Sequence, residues 1–566
     1  MEQVSARWRS LTGHLLARGD SAQPAFTFVD RDRTAHTLRW SELASRVGAL
    51  SARLRPMTGP GDRVAVLARQ DLGYVIGFLA ALHAGLVAVP LTAPQSQAQR
   101  TRLVAALRDC TPAVWLTTEA DLPRLREFAE AQPVPAPACI LPVDAATATG
   151  EVAPAVRLDP ASPAYLQYTS GSTREPAAAV ISHGALLASV DQVATAYQAG
   201  PATTCVGWIP FSHDMGLIQL LCLPLYTGAR SVFMEPLDFV RAPRRWLELL
   251  SEYPEVFTAA PNFAFDYAVD TVPEAARTGL DLSGVRVALN GSEPIRPATI
   301  AAFAEAYRPY GFRPEAHRPS YGLAEATVYV SSAGPEGPTV TAFDRARLAD
   351  GQALPAVSTG QAGELVSVGR PVGQLVRIVH PENHRLEPDG TVGEIWVHGP
   401  HLASGYWRQP ERSAETFRAR IADAPAGLPD HGWLRTGDLG LVYDGQLYVT
   451  GRRKDLIIVD GSNHYPQDIE GTVAGADPAI RRDRVAAFGI TDEAGEGVMV
   501  VAEYDRDTGE VALDPDRIGR SVRRAVTEQH DIVLREFLLV APGEVPRTSS
   551  GKVARAAARA RFWPAR

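Results

Sequence analysis

"YTSGSTREPAAAVISH" (residues 168–183) is the stretch on which the reading of this chain turns. Thr169, Ser170, Gly171, Ser172 and Thr173 are small, hydroxyl-bearing and free of bulky side chains. A polyphosphate needs several donors converging on it, and hydroxyls with unhindered backbone N–H groups supply them. Alone the run is weak, because many surface loops read Thr-Ser-Gly-Ser. A phosphate-gripping loop of this kind would continue with a glycine, a lysine and another glycine. Here Arg174, Ala177 and Ala178 stand in those places, so the site is either damaged or specialised.

Further segments recur outward from this loop in a fixed order. They are "WIPFSHDMGLI" (208–218), "NGSEPI" (290–295), "PSYGLAEAT" (319–327), "RTGDLG" (435–440), "GRRKDLI" (451–457) and "PRTSSGKV" (546–553). As an ordered set they are highly specific, and the chain resembles the adenylate-forming superfamily of acyl-CoA ligases, luciferases and peptide-synthetase adenylation domains. That resemblance implies a large α/β adenylation domain with mixed sheets and helices, followed by a small mobile α+β domain. It also implies ATP and Mg2+ as cofactors.

Each position suits a part of that chemistry. Tyr321 offers a flat face for adenine, and Gly322 beside it admits close backbone approach, although a core aromatic is the plainer account. Asn290, Gly291 and Ser292 could line the other side with backbone and amide donors. Glu325 is a hard oxygen ligand suited to Mg2+ beside phosphates, where a solvated carboxylate is the alternative. Asp438 can accept both ribose hydroxyls, or simply cap a turn. By resemblance Arg452 reaches the same sugar or the phosphate, and Lys454 is the hinge about which the small domain turns. Lys552, on the "TSSGK" tip, is the expected catalytic cation, bridging two anions where a carboxylate attacks the α-phosphate. His213 is implied near the acyl carboxylate, as a gate rather than a base; a structural histidine is the alternative. Trp208, Phe211, Met215, Asn262 and Phe263 join His213 as expected lining of an apolar substrate pocket.

The closest branch is the fatty acyl-AMP ligases, in which the loop also reads Thr-Ser-Gly-Ser-Thr-Arg-x-Pro-Ala. Arg174, Pro176 and Ala177 match it, as do "FSHDMGL", "PNFAFD" (261–266) and "SNHYPQDIE" (462–470). The missing loop lysine is then a feature of specialisation, with Lys552 and Arg174 keeping positive charge near. From Glu325 to Gly369 of "VGRP" the spacing is longer than in a CoA ligase of the superfamily. The excess lies in a Gly-, Pro- and Ala-rich segment at about 333–364, with one short helix expected near "FDRARLADG". It resembles the insertion of acyl-AMP ligases, thought to pack on the large domain and disfavour CoA thioester formation. A surface loop is the alternative. Ala178 departs even from this branch; if the glycine it replaces uses positive φ, alanine costs on the order of 1 kcal/mol.

Periodicity supports the architecture independently. "RVAVLA" (63–68), a helix from Asp71 to Ala84, a turn at Gly85 and the apolar run 86–91 form a strand–helix–strand unit. "AVWLTT" and "ACILPVD" extend the same sheet. Strands are also expected at "ELVSVG", "QLVRIVH" and "EIWVHG". After "GRRKD", the runs "RVAAFGI", "VMVVAEY" and "FLLVAP" with an amphipathic helix at 515–529 form a small α+β unit. The boundaries read as 1–450 and 451–566.

With 566 residues, 45% hydrophobic and 21% charged, the chain is globular and long enough for two or more domains. A net charge of −8 gives no hint of nucleic-acid binding. Cys110, Cys139, Cys205 and Cys222 have no metal-ligand spacing and read as reduced cytoplasmic cysteines. No signal peptide or membrane span is expected. The reaction expected is ATP-dependent activation of an apolar carboxylic acid, fatty or bulky, to an acyl-adenylate. Transfer to a thiol follows, by resemblance that of an acyl carrier protein. Completion with CoA and a non-catalytic adenylate-binding relative are the alternatives. Retention of Glu325, Asp438, Arg452 and Lys552 together argues against the second. Arg555 and Arg559, one turn apart, could meet an acidic carrier or form a solvated helix face.

Overall fold

The computed structural model describes the chain except residues 1–9, 95–96, 145–155, 157, 170–175, 359–361, 460–461, 493–494, 506–512, 549–550 and 565–566. Two open sheets lie within the first 332 residues. One has eight strands in the order Ser331–Ser332, His317–Tyr321, Val285–Gly291, Val256–Pro261, Thr204–Gly207, Arg230–Phe233, Pro24–Val29 and Ala35–Arg39. Its six inner strands are parallel and each edge strand is antiparallel. The other has six strands, ordered Cys139–Pro142, Val114–Thr117, Arg63–Val66, Val87–Pro90, Pro163–Tyr168 and Ala178–Ser182; only the last pairing is antiparallel. Helices cover parallel strands on both faces, so these strands read as unbroken apolar runs. "TCVG", "VFTAAP", "VAVP" and "VWLT" are buried at every residue.

The strand–helix–strand unit forms as expected. Asp71 caps helix Leu72–His83 by accepting the N–H groups of Gly73 (2.8 Å) and Tyr74 (3.2 Å). Gly85 ends it at φ 76°, a left-handed conformation that a β-carbon resists, and turns the chain into Val87–Pro90. Among the described residues no helix is long and apolar enough to cross a membrane.

An antiparallel sheet follows, Leu375–Val379, Gly393–His398, Leu434–Tyr443 and Gln446–Arg452. The insertion contributes the expected helix, Arg345–Ala349, and an antiparallel pair that its composition concealed, Val340–Asp344 with Ala362–Val366. Phe343, Leu348 and Ala353 bury against Leu441 and Tyr448 of the antiparallel sheet. The last part of the chain has cores of its own. Strands Ile480–Asp492, Gly495–Tyr504 and Leu534–Val540 pack against helices Pro466–Ala476, Pro515–His530 and Arg555–Phe562. The chain is thus an α/β protein with a large N-terminal domain and a smaller C-terminal one.

Candidate active site

In an open parallel sheet the carboxyl ends of the strands form a crevice. Trp208 follows strand Thr204–Gly207, Asn262 follows Val256–Pro261, Gly291 ends Val285–Gly291 and Tyr321 ends His317–Tyr321. These parallel strands therefore deliver "WIPFSHDMGLI", "PNFAFD", "NGSEPI" and "PSYGLAEAT" to one edge. The hydroxyl-rich loop starts at Thr169, whose N–H donates to Ala177 O at 3.0 Å. Ser170, Gly171, Ser172, Thr173 and Arg174 lie outside the described residues. Tyr168 anchors the loop's entry, donating its hydroxyl to Asp109 Oδ2 at 2.7 Å. Ala178 lies in strand Ala178–Ser182, paired with Tyr168 and fully buried. Its φ is not positive, so the expected alanine cost does not arise.

Tyr321, Asp438 and Arg452 come together. Tyr321 donates its hydroxyl to Asp438 Oδ2 at 2.6 Å, and Arg452 Nε lies 3.3 Å from Asp438 Oδ1 across a pair of adjacent strands. Gly322 has no room for a side chain: a β-carbon would sit 1.5 Å from Val328 O. That approach comes from Thr327 (φ 48°) and Val328 (φ 82°), β-branched residues held in a region they avoid. Ser189 donates to Thr327 O, and Thr327 donates to His401 O, both at 2.6 Å, fixing the strained turn. Glu325 precedes it. Burial raises its pKa, opposed by the hydroxyl of Tyr406, which donates to Oε1 at 2.6 Å. Among the described residues no three His, Cys, Asp or Glu side chains gather as a metal cage. One carboxylate is nevertheless the donor set of a Mg2+ ion that takes its other ligands from substrate phosphates and water, so Glu325 fits that role.

The "NGSEPI" loop is split between inside and outside. Asn290 is wholly buried, its Nδ2 on Asn262 Oδ1 (3.2 Å) and His317 Nε2 (3.1 Å). The amide donors expected of it at the nucleotide are therefore spent inside the molecule. Asn262, expected in the pocket, is equally buried; it also donates to Thr299 Oγ1 at 3.0 Å and accepts Arg296 N–H at 3.2 Å. Both asparagines brace the loop rather than line it. Gly291 and Ser292 stay at its edge, where Ser292 (φ 70°) contacts Met215 Sδ at 3.6 Å.

The substrate-side residues also divide. Trp208 stacks flat on Phe239 (centroids 3.9 Å apart, 3° between planes) with Phe263 edge-on at 6.4 Å. Phe211, expected beside them, packs instead in the core between Tyr74 and Phe233. Gln70 holds this segment, accepting Phe211 N–H at 2.8 Å and donating to Trp208 O at 3.2 Å. His213 Nδ1 lies 2.7 Å from Asp214 Oδ1, which also accepts Met215 N–H at 2.8 Å. Burial works against ionisation of Asp214, yet His213 and Lys552 hold its carboxyl below the usual range.

Lys552 reaches this edge on a tight turn of the small domain, where Thr548 N–H donates to Lys552 O at 2.8 Å and Gly551 takes φ 87°. Burial lowers the pKa of its ammonium. Glu293 opposes that shift most, Arg452 adds to it, and Asp214 and Asp438 oppose it. Lys454 is exposed on the turn Arg453–Asp455. The sequence reading missed Asp214, Glu293, Gln70 and Tyr406. The first two lie inside quoted motifs, and an acidic residue beside each expected site residue was the available signal.

Arg555 also departs from expectation. It is mostly buried, forked onto Glu470 (Nε–Oε1 and Nη2–Oε2, both 2.7 Å) and 3.3 Å from Asp455. Arg559, by contrast, lies on an exposed face.

Fold and site edge together are those of the adenylate-forming class. The chain belongs to the AMP-binding enzyme family: residues 16–407 match the AMP-binding enzyme model, and 454–565 match the Disco-interacting protein 2-like AMP domain. It is 43% identical over 98% of its length to the long-chain-fatty-acid–AMP ligase FadD26 of Mycobacterium marinum, covering 97% of that protein. It is 39% identical to the 4-hydroxyphenylalkanoate adenylyltransferase of Mycobacterium tuberculosis, over 97% of this chain and 91% of that one. A chain solved in studies of fatty acyl-adenylate ligases from E. coli and L. pneumophila superposes with a TM-score of 0.86 at 32% identity, over 98% and 97% of the two chains.

Proposed function

We propose that this protein activates an apolar carboxylic acid as its acyl-adenylate and passes the acyl group to a thiol, whose sulfur displaces AMP at the acyl carbon. The carrying observation is the convergence of Lys552 from the small domain with Asp214, Glu293, Asp438 and Arg452 at the strand ends. A carboxylate oxygen attacks the α-phosphorus of ATP, the bond from that phosphorus to the bridging oxygen breaks, and pyrophosphate leaves. Two anions must approach, and the Lys552 ammonium, half-enclosed among protein dipoles, stabilises the charge that crowds there. Tyr321, Asp438 and Arg452 hold the nucleoside, and Gly291 and Ser292 border the base. Thr169 leads into the hydroxyl-rich run 170–173 that takes the phosphates. Glu325 would hold Mg2+, which when bound would supply Lewis-acid neutralisation of the phosphate charge. Alignment in one crevice supplies the proximity share of the acceleration.

Trp208, Met215 and Phe263 give the acid an apolar wall beside His213. The names of the relatives, one for long-chain fatty acids and one for hydroxyphenylalkanoates, support an apolar acid that is either linear or ends in a ring. The acceptor we favour is a carrier-protein thiol in the cytoplasm. The insertion supports it by tying the domains together: Arg345 donates to Gln529 O at 2.6 Å, and Asn463 donates to Ala349 O at 3.2 Å. The domain boundary near 450 and a hinge at Lys454 belong to the same reading.

The test incubates protein with Mg·ATP and a panel of fatty and arylalkanoic acids, alone, with CoA or with a phosphopantetheinylated carrier protein. Mass spectrometry should find acyl-adenylate that persists with CoA and is consumed by the carrier. Quantitative conversion to acyl-CoA would overturn the choice of acceptor.

A further inference from the structure

The loop after strand Val285–Gly291 carries, beyond its glycine, two charged residues that face the small domain. Glu293 Oε1 accepts Phe263 N–H at 2.5 Å, and Arg296 reaches across the interface. The guanidinium Nη2 of Arg296 pairs with Asp266 of its own domain and, at 3.0 Å, with Asp483 Oδ1 of strand Ile480–Asp492. The large-domain half of this fork is built in. Thr299 donates to Asp266 Oδ2 at 2.9 Å, and Arg296 N–H is held by Asn262. The small-domain half leads to the catalytic turn. Arg484, next to Asp483, lies 3.7 Å from Glu503, and Glu503 Oε1 accepts Val545 N–H at 3.0 Å. Glu503 is fully buried, and Val545 opens the turn that ends at Lys552. A second contact, Arg102 Nη2 to Arg547 O at 3.2 Å, touches the same turn.

We propose that Arg296 and Asp483 are positioning residues that dock the small domain in register, so that the Lys552 turn is seated at the strand ends for adenylation. This inference rests on the adenylation reading for its kinetic consequence, but not for its structural one. The cross-domain pair at Asp483 is a single charge contact at a half-exposed interface. Its strength is therefore modest, and it weakens as salt rises. Because Asp266 keeps Arg296 ionised and paired when Asp483 leaves, separation of the domains strands no buried cation. A contact that forms and breaks without leaving an orphan charge suits a docking role better than a structural one.

The test compares wild type with Asp483→Asn, Asp483→Glu, Arg296→Ala and the double variant Arg296→Ala/Asp483→Asn. Two readouts are taken: acid-dependent ATP–pyrophosphate exchange, and energy transfer between dyes placed on the two domains of the ligand-free protein. Asp483→Asn should lower the exchange kcat about fivefold and leave KM for ATP within about twofold. Asp483→Glu should restore most of the loss, and the double variant should be no worse than the worse single. Raising sodium chloride should bring wild type toward Asp483→Asn, which should itself respond little. Interdomain energy transfer should fall in Asp483→Asn whatever the acid used. Unchanged kcat, losses that multiply in the double variant, or unchanged energy transfer would each overturn the docking pair. Wild-type protein giving no exchange with any acid would sink the adenylation reading instead, and energy transfer would still decide the pair.

Discussion

Arg555 and Arg559 look interchangeable in the sequence, and the structure separates them sharply enough to predict different outcomes for the same change. Arg555→Ala removes two 2.7 Å charge-assisted bonds to Glu470 and a 3.3 Å contact with Asp455. The side chains involved are at most 18% exposed, so solvent cannot take over the lost contacts fully. Removing one partner of a buried pair costs about 3–5 kcal/mol, because the remaining charge is left behind. The lower end applies here, since Glu470 Oε1 still accepts Ala487 N–H at 3.0 Å. About 3 kcal/mol corresponds to roughly a 100-fold rise in the opening equilibrium of the small domain. Native-state hydrogen exchange over helix Pro466–Ala476 and strand Ile480–Asp492 reads it directly. Arg555→Lys, which keeps the charge and loses the fork, should fall between. Arg559→Ala, on the exposed face, should stay within about 0.5 kcal/mol of wild type. Equal exchange in Arg555→Ala and Arg559→Ala would mean that the fork of Arg555 on Glu470 does not stabilise the small domain.

Ala178→Gly should lower stability by about 1 kcal/mol in urea titration, since it removes a buried methyl from a strand and loosens the unfolded chain; a gain would mean that the loop needs a glycine conformation there. Tyr321→Phe, which loses the 2.6 Å bond to Asp438, should raise KM for ATP about tenfold with little change in melting temperature. An unchanged KM would remove Tyr321 from the nucleotide site. Glu293 has its pKa raised by burial to about 7 from 4.5, with Asp483 adding repulsion and the Phe263 N–H, Lys552 and Arg296 opposing. A carboxyl raised on folding stabilises most when protonated, so its contribution is complete below about pH 4.5 and is lost as pH rises through about 7. Melting temperatures of wild type should thus fall relative to Glu293→Gln across that window; parallel curves would show that Glu293 titrates normally.

How far the sequence could be read depended on whether a signal was local. The unit from Arg63 to Pro90 was legible because period, cap and turn glycine agree. The strand pair of the insertion was not, because Gly, Pro and Ala conceal strands whose stability comes from Phe343 and Leu348 meeting Leu441 and Tyr448 across sequence distance. Within the site, Tyr321, Asp438 and Arg452 were predicted together and lie together. Asn290, Asn262 and Phe211 were expected at the surface of the site and lie behind it. Residue type suggested their chemistry, but only the packing of Val285–Gly291 against its neighbours decides which way an asparagine faces. The strain at Thr327 and Val328 had no sequence signal at all, since β-branched residues normally argue against positive φ.

In the proposed reaction Lys552 supplies the cation for acyl-adenylate formation. Acid-dependent exchange of labelled pyrophosphate into ATP, compared between wild type and Lys552→Ala, tests it most directly. Exchange in wild type should require the apolar acid and should fall about 100- to 1,000-fold in Lys552→Ala, with ATP affinity changed far less. Exchange that needs no acid, or that survives the loss of Lys552, would contradict it.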